Sequence, residues 1–262
     1  MLLLSLTPLS ALTVGILAAG SDRSPDIEFN AHTLDLGANQ TCTFADTNRD
    51  GRLDIMSGEN WYEAPSWKKH SLRELGFSNN YIDNFSDLAV DVDGDGHPDI
   101  VSVTWFARDI TWWKNPRRTG SLWTEATVDS GSPIEFAIPA DIDNDGRGQE
   151  VLPQPARGPW AWYEVKDGNW VKHIVSSEKL GMGIGAGYIN GDGRTDILTF
   201  QGWLEAPLDP RSGDWKLHAD WSEGELGFMH VADIDGDGKN DIVTGYAHNY
   251  GIFWMQQGEG GK

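Results

Sequence analysis

The chain has a single cysteine, Cys42, among 262 residues. No intrachain disulfide is possible, so packing or bound ions must do the stapling. Basic residues are scarce: 20 Lys and Arg stand against 40 Asp and Glu, a formal net charge of −20. That balance excludes nucleic acid as an electrostatic partner. No Cys/His cluster suits zinc. Long apolar runs are missing except at residues 1–20, MLLLSLTPLSALTVGILAAG, where Pro8 interrupts the run and small residues end it. This segment has the character of a secretory signal cleaved near Gly20, without stable membrane insertion. The expectation is a secreted protein, extracellular or periplasmic, with a linker over 21–28 and one domain over 29–262.

What the chain does have is a ten-residue acidic pattern in five copies. They are DTNRDGRLDI from Asp46, DVDGDGHPDI from Asp91, DIDNDGRGQEV from Asp141, YINGDGRTDI from Tyr188 and DIDGDGKNDI from Asp233. Carboxylates at alternate positions, a glycine turn and a later carboxylate make an oxygen-only donor set, which suits calcium better than magnesium or zinc. The start resembles an EF-hand loop, but the tenth position is Ile or Val and β-type runs follow, so each loop joins two strands. Candidate ligands are Asp46, Asn48, Asp50 and Asp54, then Asp91, Asp93, Asp95 and Asp99, then Asp233, Asp235, Asp237 and Asp241. These three loops are complete. The third offers Asp141, Asp143 and Asp145 but has Gln149 at the ninth position. The fourth has Tyr188 in place of the first Asp, leaving Asn190, Asp192 and Asp196. Three complete calcium sites and two degenerate ones are expected.

Two further motifs travel with each loop. An aromatic strand recurs around Trp61, Trp113, Trp162, Trp203 and Trp254. A W-x-x-H-type strand recurs from Trp67 to His70, Trp170 to His173 and Trp215 to His218, with Ala126 replacing the histidine after Trp123. Four strands in about 47 residues indicate a β-propeller blade. The fifth unit ends at GEGGK, while the N-terminal FNAHTLDLG, with Phe29, His32 and Leu34, carries a spare outer strand. The expected fold is all-β, a propeller of five four-stranded blades closed by the N-terminal strand. The alternative is a fragment of a seven-bladed ring. On these motifs, Phe29 to Gln257 resembles the FG-GAP/VCBS repeat family of calcium-loop propellers, found in integrin α-chain heads, lectins and secreted bacterial proteins. The resemblance implies calcium and an extracellular setting. It does not choose between adhesin, lectin and enzyme.

Recurring Trp and His imply packing between blades. Function is sought where the units differ, in longer connections on the face away from the loops. Candidate ligand residues there are Tyr81, Asp83, Trp105, Arg108, Glu135, Arg157, Trp160, His230, His248 and Tyr250. Aromatic rings and arginines together suit a sugar or uronic acid. The leading expectation is a binding module, monomeric, for carbohydrate or an extracellular protein. A lyase or dehydratase using His230, His248 or Tyr81 as base beside Arg108 or Arg157 is the enzymatic alternative, and a structural fragment of a larger propeller the third.

Overall fold

The computed structural model describes residues 28–258. The expected signal and nearly all of the linker lie outside them. Among the described residues there is no helix, and so none long and apolar enough to cross a membrane.

Leu34–Lys262 forms one compact unit. It is a series of antiparallel meanders at the expected period. The first is β1 (Thr43–Ala45), β2 (Asp54–Ser57), β3 (Asn60–Glu63) and β4 (Lys68–Ser71). A small hairpin follows, β5 (Phe77–Ser78) and β6 (Tyr81–Ile82). The second meander is β7 (Ser86–Val90), β8 (Asp99–Val103), β9 (Asp109–Lys114) and β10 (Thr124–Ser130). The third is β11 (Ile134–Ala140), β12 (Glu150–Pro155), β13 (Trp160–Lys166) and β14 (Asn169–Ser176). The fourth is β15 (Ile184–Gly187), β16 (Asp196–Thr199), β17 (Gly202–Glu205) and β18 (Lys216–His218). The fifth has three strands among the described residues, β19 (Leu226–Ala232), β20 (Asp241–Tyr246) and β21 (Ile252–Met255).

The first strands β1, β7, β11, β15 and β19 neighbour one another in chain order, as the inner strands of propeller blades do. Four apolar clusters fill the spaces between successive sheets, each drawing residues from two adjacent meanders. The fourth and fifth sheets approach closely enough for β15 and β19 to pair in parallel, Ile184 beside Phe228. Glycine permits this: a Cβ on Gly185 would stand 2.4 Å from the Met229 carbonyl oxygen.

Recurrence means packing at most of these positions, although Trp67 is 40% exposed. Trp61, Trp162 and Trp203 each stack on the histidine of the following strand, with ring centroids 4.3, 4.3 and 4.2 Å apart. Each histidine Nε2 meets a glutamate two residues beyond its tryptophan: His70 with Glu63, His173 with Glu164, His218 with Glu205. Trp254 lacks such cover and is 50% exposed.

The closing strand differs from expectation. Residues 28–42 form no strand, and β21 pairs only with β20 among the described residues. Asp35 nonetheless has a defined place. It accepts from Tyr62 Oη at 2.7 Å and Lys69 Nζ at 2.6 Å on the first sheet. Asp129, at the end of β10, accepts from Tyr163 and Lys172 of the third sheet in the same way. Both aspartates lie six residues after the aromatic that opens the W-x-x-H-type motif, Phe29 and Trp123.

Candidate functional site

Each acidic loop joins the first and second strands of its meander, so all five mark one face. The loop backbone is wrapped around its own carboxylates. Asp91 accepts from the N–H groups of Asp95 and Gly96, and Asp46 from those of Asp50 and Gly51. The last carboxylate opens the second strand and is buried. Its two oxygens bracket the unit: Asp54 accepts from Thr47 N at 3.0 Å and Ala64 N at 2.9 Å, and Asp196 from Ile189 N and Ala206 N. Burial raises these carboxyls, except that of Asp241, where hydrogen bonds, first the one from Gln257 N, hold it below its ordinary value. Asp99 and Asp196 are each pushed up to about 6, and Glu150 to about 7, where Asp141, Asp143 and Asp145 add repulsion. A cation beside them would reverse that tendency.

Carboxylate oxygens converge within 4.8 Å in three loops: Asp91, Asp93 and Asp95; Asp141, Asp143 and Glu150; Asp233, Asp235 and Asp241. Asp93 Oδ1 and Asp141 Oδ1 are buried without any hydrogen-bond partner. Buried carboxylate oxygens need a donor or a cation, and an all-oxygen set of this kind fits calcium. The membership corrects the sequence expectation. The third loop converges because Glu150, not Gln149, takes the ninth place: its Oε2 accepts from Ile142 N at 2.9 Å, as Asp54 does from Thr47. The first loop, with Asn48 among its donors, shows no comparable cluster of carboxylates among the described residues. Neither does the fourth.

The opposite face carries the second-to-third strand connections and the entries to the inner strands. Two of the expected ligand residues are structural. Trp160 is 0% exposed, in the core between the third and fourth sheets. Asp83 is buried and caps the next connection, accepting from Trp105 N, Phe106 N and Ala107 N. The insertion that supplies Asp83 also supplies Asp87, which pairs with the buried Arg73 through both oxygens at 2.8 and 2.7 Å. That insertion therefore braces the first two units.

The candidate bases do not assemble. Tyr81 sits in an aromatic cluster with Phe85 and Phe106. His248, in the connection after β20, lies 3.8 Å from Glu135 of β11. His230 and Tyr250 are exposed elsewhere on the fifth meander.

The arginines do come together. Arg108 and Arg157 line one cleft of about 300 Å³ between the second and third sheets, with Lys172, Tyr163 and Asp129 at its side. Burial pushes the Asp129 carboxyl up, but hydrogen bonds from Lys172 and Tyr163 outweigh it and hold the group below its ordinary value. Asp129 thus stays ionised and balances Lys172. Arg108 and Arg157 form no ion pair among the described residues, as is also true of Arg49, Arg118 and Arg147, whereas Arg52, Arg73, Arg117, Arg194 and Arg211 all do. Arg108 is held at φ 67°, a left-handed conformation that is unusual for a long side chain.

Residues 91–149, the span from the second acidic loop into the third, match the FG-GAP-like repeat family. No curated protein matches the chain. Among solved structures, the Vibrio cholerae biofilm matrix protein Bap1 is similar over 79% of this chain and 35% of its own, at 19% identity and TM-score 0.46. The WD40 domain of SCAP from fission yeast is similar over 77% of this chain and 52% of its own, at 12% identity and TM-score 0.43. The chain thus spans about a third of the first and about half of the second.

Proposed function

Because the chain carries the FG-GAP-like repeat, we propose that it is a secreted, calcium-stabilised binding module for acidic carbohydrate. The observation that carries the reading is the cleft shared by Arg108 and Arg157. It brings two guanidinium groups without ion-pair partners into one cleft, on a chain with twice as many acidic as basic residues. Guanidinium forks match carboxylates in bidentate geometry, and the cleft lies away from the acidic loops whose field would repel an anion. The loops serve stability, and the opposite face serves recognition.

The test is binding to a panel of polyuronides and neutral polysaccharides at millimolar calcium. The wild type should retain polyuronides. Arg108→Ala and Arg157→Ala should each weaken retention about tenfold or more, while the melting temperature stays unchanged. Equal retention of neutral and acidic polymers, or binding indifferent to both substitutions, would overturn the assignment.

We also propose that five units make the ring and that the N-terminal segment completes the fifth. The support is Asp35, which stands to Tyr62 and Lys69 as Asp129 stands to Tyr163 and Lys172. An outer strand belonging to a unit in front of the first sheet would put its aspartate in that place. Among the described residues, the fifth meander is the one without an outer strand.

A further inference from the structure

On the same face as the arginine cleft, the connections of four consecutive units enclose a basin of about 520 Å³. It shares no lining residue with the cleft. The two are nonetheless neighbours, because successive residues of a strand point to opposite sides. Along the end of β12, Pro153 and Pro155 line the cleft while Gln154 lines the basin.

The basin differs from the cleft in chemistry. Its charged members, Lys179 and Glu225, are of opposite sign. Trp105 and Phe200 give it aromatic surface, and Phe85 supports Trp105 with ring centroids 6.3 Å apart. Gln154 is 2% exposed. Its Nε2 donates to Gly181 O at 3.1 Å and Pro155 O at 3.3 Å. Those two carbonyls fix the amide, since the reverse orientation would set oxygen against oxygen. Gln154 Oε1 is then left buried with no donor. An unsatisfied buried acceptor costs free energy until a hydrogen-bond donor reaches it. A carboxylate has no proton to give at neutral pH, and a purely apolar ligand would leave the acceptor bare. A neutral ring bearing hydroxyl groups satisfies both surfaces: its C–H face against the aromatics, a hydroxyl to Gln154.

We propose that this basin is a second subsite, taking an uncharged sugar unit of the same acidic glycan whose carboxylate lies between Arg108 and Arg157. It rests on the reading of the arginine cleft given above. It adds that the ligand is an oligomer in which charged and neutral units are neighbours, spanning the end of β12.

The experiment is titration calorimetry of the full calcium-loaded chain with glucuronate and with hyaluronan oligosaccharides, in which uronate and N-acetylhexosamine alternate. The oligosaccharides should bind at least about tenfold more tightly than the monosaccharide. Trp105→Ala should abolish that gain and leave glucuronate affinity unchanged. Phe200→Ala, on the other side of the basin, should act the same way if the first variant folds poorly. Arg157→Ala should weaken both ligands. A gain from oligomer length that survives both basin substitutions, or no gain in the wild type, overturns the second subsite while leaving the cleft standing. Failure of the wild type to bind glucuronate or the oligosaccharides overturns the cleft and the subsite together.

Discussion

Glu150 lies nine residues after Asp141, whereas Asp54, Asp99 and Asp241 lie eight after the first aspartates of their loops. Its longer side chain spans the difference and delivers a carboxylate to the same bracket, between Ile142 N and the cluster of Asp141 and Asp143. Shortening it should therefore matter more than altering a loop that lacks its first aspartate. Glu150→Asp is expected to reduce calcium-dependent stability by about 1–3 kcal/mol, and Asp192→Asn by less, in melts with and without calcium. A second residue-scale prediction concerns Glu164. Hydrogen bonds from Arg211 come first, and with His173 they hold its carboxyl at about 2. A carboxyl lowered in the folded state adds stability above the unfolded value of roughly 4.5 and loses it as pH falls toward 2. The stability difference between the wild type and Glu164→Gln should thus shrink across that window, as denaturant titrations at stepped pH would measure.

In four of the five units, the third residue of the loop and the residue two beyond the aromatic-strand tryptophan face each other; in the second unit the pairing of Val101 with Trp112 makes Trp112, not Trp113, that tryptophan. Asn48 donates to Glu63, and Asp235 accepts from Gln256. Lys114 pairs with Asp93, and Arg211 stands between Asp143 and Glu164. Asparagine thus goes with glutamate, and aspartate with a cation or an amide, so two carboxylates never meet unbridged at these positions. This pairing accounts for two departures from the repeat. The unit with Lys114 in place of glutamate is the one with Ala126 in place of histidine, and Lys114 lies 5.8 Å from the centre of the Trp112 ring instead. Lys114→Glu should destabilise the calcium-free chain by about 1 kcal/mol, and adding Asp93→Asn should restore most of that loss. A double-mutant cycle by chemical denaturation in EDTA checks it, and additive losses would refute the pairing.

For the whole molecule, ions that bind only folded loops stabilise by mass action. At a hundredfold excess over Kd each site contributes about 2.7 kcal/mol. For a domain of this size that amounts to roughly 5–10 °C in Tm per occupied site, removable by EDTA and restored by calcium. Closure is the other question at this scale. Ile252 is 86% exposed on the free edge of β21, an arrangement that invites a pairing strand. By the register of the first meander, where Leu72 N donates to Glu59 O, Leu34 would lie opposite Ile252. Leu34→Cys with Ile252→Cys, in a Cys42→Ser background, should form a disulfide within one chain under mild oxidation. Cross-linked dimers alone would point to exchange between chains, and no cross-link would count against closure by this segment.

The period, the four-strand unit, the acidic inter-strand loops and the packing role of most of the recurring tryptophans were legible in the sequence, because each repeats. A residue that returns in unit after unit answers to the unit's own geometry. What appears only once depends on tertiary neighbours. Trp160 and Asp83 looked like ligand residues until the fold buried one and turned the other toward three backbone N–H groups. Glu150 is offset by one residue from the spacing of the other loops, and only its longer side chain brings its carboxylate to the shared position. Arg108 and Arg157 were both named from the connections, yet only the packing of the second sheet against the third put them in one cleft. The local repeat determined how the chain stands. The meeting of non-repeating connections from different units decided which surface it offers, since distance between residues far apart in sequence is set by packing alone.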